Sequence, residues 1–278
     1  TKKTITLKNS KNIPNAISDG FNVAMSPRRG PVCINLPRNL LAEKNNYKIN
    51  EKIKSFKNIN NTQSNSKSIK RAAKLISNSS KVIIIVGGGI KYTSGFKTII
   101  KLAEYLNVPI VTAAGHGDAI PFNHKLNAGQ MGPRGNPVAT KLTKEADVIM
   151  AIGTRLGFNS TFLSYEYINK KAKIIQIELE KKMLGKYFPI QIGINADAET
   201  SANQILNELK KQKIKLEVKN WTKQFLKDRS DFLLNRDKIK YKNYPIQPFG
   251  LFKELRKVLP KNSAITLDAG TLCLQATD

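Results

Sequence analysis

The stretch KVIIIVGGGI, residues 81–90, decides the fold of this 278-residue chain. Its apolar run Val82–Val86 lacks the alternation of a strand with one solvated face, so we expect a strand that is buried on both sides. Three glycines follow directly, which is typical either of a tight structural turn or of a backbone that approaches a ligand closely. The stretch therefore predicts a central parallel strand with a sharp turn at its carboxyl end.

Outward from this strand, apolar runs alternate with amphipathic stretches. Further strands are predicted in VPIVTAAG, DVIMAIG and AKIIQIELE, and helices at Phe96–Leu106, at Pro137–Glu145 and in ETSANQILNELKK. Strands this apolar, alternating with helices, favour a parallel sheet that is covered on both faces. The predicted fold class is α/β, with a doubly wound parallel-sheet domain at the centre of the chain.

Shorter α/β patterns flank this central domain. A helix is predicted in residues 13–26, where the apolar residues at helical spacing are Ile13, Ile17, Phe21 and Met25. A buried strand at Val32–Leu36 follows. Near the other end, the charged helix Trp221–Arg236 and a helix at about Phe249–Leu259 precede a last strand in SAITLDAG, residues 263–270. Partial α/β domains are therefore expected on both sides of the central one.

The composition narrows the function classes. The net charge is +27, which makes nucleic-acid binding one hypothesis. Only nine of the 47 basic residues are arginine, however, and the lysines are spread along the chain, so a solvated basic surface without a specific nucleic-acid partner is favoured. No run of eighteen apolar residues occurs, so no membrane span is expected. Cys33 and Cys273 lie in or beside strand-like runs, which predicts buried free thiols in a reducing cytoplasm.

Small or polar residues stand at the ends of several predicted strands. They are Gly87–Gly89, Thr112–Gly117, Gly153–Arg155 and Glu178. In an open parallel sheet these ends meet at one edge, where ligands bind. Arg155 suits a phosphate and Glu178 suits ribose hydroxyls, whereas the competing interpretations are helix caps and surface ion pairs. As a set, the residues favour a nucleotide-shaped ligand.

Two histidines lie eight residues apart with an acid between them. His116, Asp118 and His124 resemble part of a metal ligand set, but no cysteine or further histidine completes it. We therefore expect these side chains to form hydrogen bonds within a loop.

Five motifs occur in a fixed order along the chain: RRGPVCINLPRN, VIIIVGGGI, GHGDAIPFNHKLNAGQMG, ADVIMAIGTRL and ITLDAG. This order resembles the thiamine diphosphate enzymes of the acetolactate synthase and sulfoacetaldehyde acetyltransferase type. The resemblance implies that residues 1–41 are the tail of a pyrimidine-binding domain, 66–212 the central domain, and 244–278 the start of a diphosphate-binding domain. Residues 42–65 are then a linker and 213–243 a linker helix.

The same resemblance implies a function. The full-length parent would use thiamine diphosphate and Mg²⁺ to decarboxylate or cleave a 2-oxo acid or aldehyde and to transfer the acyl carbanion equivalent, as a homodimer or homotetramer. The family's activating glutamate is expected before residue 1, and its metal-binding Gly-Asp-Gly motif beyond Asp278, so the chain alone is expected to be inactive. The alternative is a stand-alone central domain that binds FAD or ADP without catalysis.

Carried over position by position, the resemblance also implies binding residues. Those matching the family's nucleotide contacts are Gly87, Gly88, Gly89, Thr112, Gly153, Arg155, Glu178 and Asp197. Those matching the turn at the diphosphate are Ala269, Gly270, Thr271 and Leu272. The chain has GPRG at 132–135 and RLGFN at 155–159 where acetolactate synthases have Gly-Met-His-Gly and Arg-Phe-Asp-Asp-Arg. These departures favour a sibling specificity over acetolactate synthase itself, and they leave FAD, ADP or no nucleotide as the alternatives for the central domain.

Overall fold

The computed structural model describes residues 1–26, 28–47, 64–91, 95–238, 244–260, 262–268 and 270. The chain divides into two compact units, Thr1–Asn61 and Thr62–Asp278. None of the helices in the described part of the chain is both long enough and apolar enough to cross a bilayer.

The first unit is a small α/β fragment. Its elements are β1 (Lys3–Thr6), α1 (Ile13–Met25), β2 (Val32–Asn35) and α2 (Arg38–Leu41). The two strands are parallel, with Lys3 opposite Val32 and Thr6 opposite Asn35. The buried side chains Leu7, Ala16 and Leu40 form its core.

The structure confirms the first helix but corrects the face that it buries. Ile17 and Phe21 are 40% and 60% exposed, whereas Ala16 and Gly20 are buried. The reason is close packing, since a Cβ atom on Gly20 would lie only 2.8 Å from Cδ1 of Ile34. The small residues therefore let the helix approach β2, and the larger apolar side chains lie outside this contact.

The prediction of a buried strand at Val32–Leu36 was wrong in extent and in burial. The strand ends at Asn35, and its residues alternate between half-buried and exposed. Cys33 is an exposed free thiol, so the prediction of a buried cysteine is also wrong at this position. The physical reason is that α1 packs on one face of the two-stranded sheet, so alternate side chains of β2 on the other face stay exposed within this unit. Cys273 lies outside the described residues.

The second unit is built on six parallel strands. They are β3 (Val82–Val86), β4 (Ile110–Thr112), β5 (Asn127–Gln130), β6 (Val148–Ile152), β7 (Lys173–Ile177) and β8 (Ile192–Ile194). The spatial order is β5-β4-β3-β6-β7-β8. The four strands predicted from apolar runs are confirmed as β3, β4, β6 and β7, whereas β5 and β8 were not predicted.

The described part of the second unit also contains α-helices. They are α3 (Ser66–Ser77), α4 (Gly95–Leu106), α5 (Pro137–Glu145), α6 (Phe158–Thr161), α7 (Ala198–Lys211), α8 (Lys219–Lys238) and α9 (Pro248–Val258). The chain runs from β3 to β5 in one direction and from β6 to β8 in the other, so right-handed crossovers place helices on both faces. This is the doubly wound α/β fold that the sequence predicted, and every residue of β3 and β6 is buried within it.

The last predicted strand is not formed. Residues 263–268 belong to no helix or strand, and Ile265 and Leu267 are 67% and 45% exposed. A parallel strand is stabilised only by hydrogen bonds to a neighbouring strand. No strand in the described part of the chain pairs with these residues, so their apolar pattern remains exposed.

Candidate functional site

The strand order reverses next to β3. Strand β4 lies on one side of β3 and β6 on the other, and the chain moves outward from this pair in opposite directions. In doubly wound folds, the crevice beyond the carboxyl ends of such a pair is the usual ligand site. Three loops meet here: the glycine turn Gly87–Lys91 after β3, residues 113–120 after β4, and residues 153–160 after β6.

The glycine turn packs directly on the loop after β6. The amides of Gly87 and Gly89 donate to the carbonyl oxygens of Ile152 and Gly153, at 3.1 and 3.0 Å. A Cβ atom on Gly87 would lie 2.5 Å from the oxygen of Gly153, and one on Gly89 would lie 2.7 Å from its Cα. These glycines thus allow two backbones to touch, and their amides are engaged within the protein.

Gly88 faces the other neighbour, the loop after β4. A Cβ atom on Gly88 would lie 2.8 Å from Cε1 of His116, so the imidazole occupies the space that a side chain would need. Beside the ring, Lys91 forms an ion pair with Asp118. The loop is held by the amides of Ala114 and Gly115, which donate to Ser160 Oγ and Gln130 Oε1.

His116 has an unusual environment for a loop histidine. Its Nδ1 is buried and has no hydrogen-bond partner in the described part of the chain. Burial lowers the pKa of His116 below its ordinary value of 6.5; Lys91 and Arg155 lower it further, and Asp118 opposes them. The imidazole is therefore neutral at physiological pH, although it lies among cations.

Thr112 and Arg155 contribute to the same edge of the sheet. Thr112 is the last residue of β4, and its fully buried Oγ1 also has no partner among the described residues. Arg155 is exposed and forms no ion pair with any described acid. It follows Gly153, which has a positive φ of 62° and turns the chain sharply after β6. Two buried polar atoms and a guanidinium that have no partner among the described residues make this edge a candidate ligand site.

Glu178 and Asp197 lie in the loops after β7 and β8. Oε1 of Glu178 accepts from the amide of Leu179 at 2.9 Å, which fixes the carboxylate at the end of its strand. Asp197 is the N-cap of α7, and its Oδ1 accepts from the amide of Thr200 at 2.8 Å. A helix cap, the competing interpretation, therefore accounts for one oxygen of Asp197.

The prediction of loop hydrogen bonding is confirmed for His124. Its Nε2 lies 3.3 Å from Oε1 of Glu104, and its Nδ1 accepts from the amide of Leu126. His116 differs, because its Nδ1 lacks such a partner. Sequence reasoning grouped the two histidines, yet the structure gives them separate surroundings.

The sequence patterns did not indicate two further features of this region. Phe158 is 60% exposed, and its ring stacks on Phe162 with 4.9 Å between centroids. An open groove of about 640 Å³ is lined by the turn Gly132–Gly135, by α5 along its length and by Tyr167. The signals were the phenylalanine of RLGFN and the Gly-Pro pattern of GPRG, which had been considered only as departures from a family motif.

The residues expected at the thiamine diphosphate do not form a cradle in the described part of the chain. Gly270 is described, and no atom lies within 4 Å of a Cβ position built on it. Ala269, Thr271 and Leu272 lie outside the described residues. The described residues therefore do not fit this cofactor by themselves.

Comparison with known proteins identifies the family. The family model for the central domain of thiamine pyrophosphate enzymes matches residues 69–208, which covers the sheet and its helices from α3 to α7. The chain belongs to the thiamine pyrophosphate enzymes. The domain at its centre is therefore the family's central domain, as the order of the motifs had implied.

Relatives of the chain include acetolactate synthase subunits and sulfoacetaldehyde acetyltransferases. A probable acetolactate synthase large subunit of Methanocaldococcus jannaschii is 29% identical over 97% of the chain and 46% of its own length. A sulfoacetaldehyde acetyltransferase of Castellaniella defragrans is 29% identical over 87% of the chain and 43% of its own length. One from Roseovarius nubinhibens is 33% identical over 64% of the chain and 29% of its own length. The chain spans about half the length or less of these curated relatives.

Proposed function

We propose that the chain is the central part of a thiamine diphosphate- and Mg²⁺-dependent enzyme. The whole enzyme would decarboxylate or cleave a 2-oxo acid or aldehyde, transfer the acyl carbanion equivalent, and act as a homodimer or homotetramer. The bound cofactor would supply a carbanion-stabilising ylide. The chain alone is expected to be inactive, because no described atom lies within 4 Å of the Cβ position of Gly270 and the described residues therefore form no cradle for a diphosphate there.

Within this enzyme, the role proposed for the six-stranded domain is to bind an adenine nucleotide, FAD or ADP. The observation that carries the proposal is the convergence of three loops on the glycine turn. There, Arg155 lacks an acidic partner among the described residues, and two buried polar atoms, Thr112 Oγ1 and His116 Nδ1, lack hydrogen bonds. A ligand with a phosphate and several hydrogen-bonding groups would satisfy all three.

Each side chain is proposed to contact a different part of the nucleotide. Arg155 offers a planar fork of donors that suits phosphate oxygens. Glu178, oriented by the amide of Leu179, would accept from ribose hydroxyls. Phe158 presents an exposed aromatic face three residues after Arg155, where a planar base or flavin ring can stack. A contact from Asp197, beyond its capping role, stays a prediction.

Thermal unfolding with ADP and with FAD tests this proposal. A ligand at about 100 times its Kd stabilises the protein by about 2.7 kcal/mol. The substitution Arg155→Gln is expected to weaken the affinity for ADP about tenfold, because one charged hydrogen bond is lost. Arg71→Gln, the same change at an exposed position on α3, is the matched control and should bind as the parent does.

Three outcomes separate the hypotheses. Absence of stabilisation by both nucleotides, or equal loss in both arginine variants, would contradict nucleotide binding at Arg155. Nucleotide binding in an assembly that shows no thiamine diphosphate-dependent turnover would instead support the stand-alone binding domain. The catalytic proposal requires turnover by the full-length enzyme.

A further inference from the structure

The imidazole of His116 lies where the three loops at the strand-order reversal come together. Its ring rests against Gly88 on the glycine turn, and this turn touches the backbone at Gly153 on its other side. The histidine thus comes from the β4 side of the crevice, and Arg155 follows Gly153 on the β6 side. The nucleotide proposed above would give Nδ1 of this histidine a hydrogen bond, but that contact alone assigns no change in its protonation.

The charges around the ring favour an anion. The charged groups that act on His116 are Lys91 from the glycine turn, Asp118 from its own loop and Arg155 from the loop after β6. Lys91 and Asp118 neutralise each other in an ion pair. Arg155 has no acidic partner in the described ranges, so one positive charge remains uncompensated beside a neutral imidazole.

The loop has room for the ring to meet a ligand. His116 is half-buried and stands between Gly115 and Gly117, which are both exposed. Nδ1 lacks a hydrogen-bond partner in the described part of the chain, which is costly for a buried polar atom. An oxyanion that enters beside Arg155 would provide both a counter-charge and an acceptor for a protonated ring.

We propose that His116 and Arg155 form a proton-linked anion site, in which a phosphate group binds between them and His116 takes up a proton as it binds. This proposal deepens the nucleotide-binding function above and rests on the same edge of the sheet. The anion is either the diphosphate of a nucleotide or a free inorganic diphosphate, since both present the same kind of oxygens. Binding tightens as the pH falls from the pKa of His116 in the complex toward its lower pKa in the free protein, because the protonated ring carries an additional positive charge.

Nuclear magnetic resonance of the imidazole rings tests the proposal directly. The chain contains only two histidines, so His124 is an internal control, and it already faces the carboxylate of Glu104. Each ring is titrated with pH alone, with inorganic diphosphate, with ADP and with adenosine. Diphosphate and ADP are expected to raise the pKa of His116 by about one unit, which corresponds to about tenfold tighter binding by the protonated form. Adenosine should leave both rings unchanged.

Variants separate a built site from general attraction to a basic chain. Arg155→Gln should abolish the shift at His116, whereas Arg71→Gln should retain it. His116→Gln should remove the part of the pH dependence of diphosphate binding that comes from the imidazole and leave only that of the diphosphate itself, whereas His124→Gln should preserve the full dependence. In both arginine variants, an unchanged His124 resonance shows that the fold around α4 is intact.

The outcomes distinguish this inference from the nucleotide function. A His116 pKa that does not move under saturating diphosphate and ADP overturns the inference, as do equal shifts at both histidines. If ADP stabilises the protein while His116 does not shift, nucleotide binding stands and the inference fails. If diphosphate shifts His116 but ADP binds no tighter than diphosphate, the anion site stands and the nucleotide function fails.

Discussion

At the scale of single residues, Gly87 and Gly88 are neighbours with different surroundings. A methyl group on Gly87 would lie 2.5 Å from the carbonyl oxygen of Gly153 and 2.7 Å from Cβ of Thr154. Among the described atoms, a methyl group on Gly88 would meet the ring of His116, which is the end of a side chain. Backbone atoms at Gly153 have less freedom to move away from an added methyl group than the end of a side chain has.

We therefore expect Gly87→Ala to lower the free energy of unfolding by about 1–3 kcal/mol, as overpacking does in a closed core. Gly88→Ala should cost clearly less, while its methyl group displaces His116 from its present position. Urea unfolding of the two variants measures the difference. If both variants lose the same free energy of unfolding, the turns after β3 and β6 can accommodate a methyl group at residue 87, and the expectation is wrong.

The sequence was sufficient to place these glycines at the end of a buried strand, but not to show what they touch. The residues that they touch are Gly153 and His116. Both are distant from the glycines in the chain and become neighbours only because β6 and β4 lie beside β3. The same limit applies to Thr112 and Arg155. Residue type indicated a ligand edge, whereas burial and unpaired atoms depend on the assembled loops.

At the scale of elements, α8 is joined to the central sheet through its first half. Trp221 donates its indole N–H to the carbonyl oxygen of Val82 at 3.2 Å, and Phe225 is 1% exposed within the core of the second unit. Further along the helix, Arg229 donates to the carbonyl oxygens of Asn127 and Phe122. Burial lowers the pKa of Arg229, and the nearby Arg236 adds to that effect.

These contacts predict that α8 contributes to the stability of the central domain. Phe225→Ala should lower the free energy of unfolding by about 3–5 kcal/mol, because it leaves a cavity in a packed core. Leu226→Ala is the matched control, since the adjacent side chain is 39% exposed on the same helix. Urea unfolding should separate the two variants. Similar small losses in both would mean that α8 can detach without disturbing the sheet.

Element prediction succeeded where the pattern was long and apolar, as in β3, β6 and β7. It failed for β5 and β8, which are short: β5 reads NAGQ and β8 reads IGI. In β5 the side-chain amide of Asn127 is buried and donates to the carbonyl oxygen of Pro121 at 3.2 Å. A polar strand of this kind is stabilised by tertiary hydrogen bonds, and a single sequence does not reveal them.

At the scale of the whole molecule, the two units differ in the core that each one buries. The first unit has a core of three buried side chains, whereas the core of the second extends from Ile69 to Phe225. Small units bury a smaller fraction of their surface and are correspondingly less stable. Fold class and family could be predicted because the large unit carries most of the apolar pattern.

We expect hydrogen exchange to follow this difference. Amides in β1 and β2 should exchange much faster than those in β3 and β6, because local opening is cheapest where few apolar contacts are broken. Mass spectrometry of peptides from both units, labelled at one pH, gives the comparison within a single sample. Equal protection in the two sheets would show that the first unit is stabilised by more than its own core.

The bond between Trp221 and Val82 joins residues that are 139 positions apart in the chain. During synthesis, β3 leaves the ribosome long before the helix that covers its first carbonyl group. Part of the core of the nascent sheet therefore stays uncovered until about residue 225 has left the ribosome. The order of translation thus makes α8 the closing step of domain folding, and the interval before it is when the nascent chain most needs a chaperone.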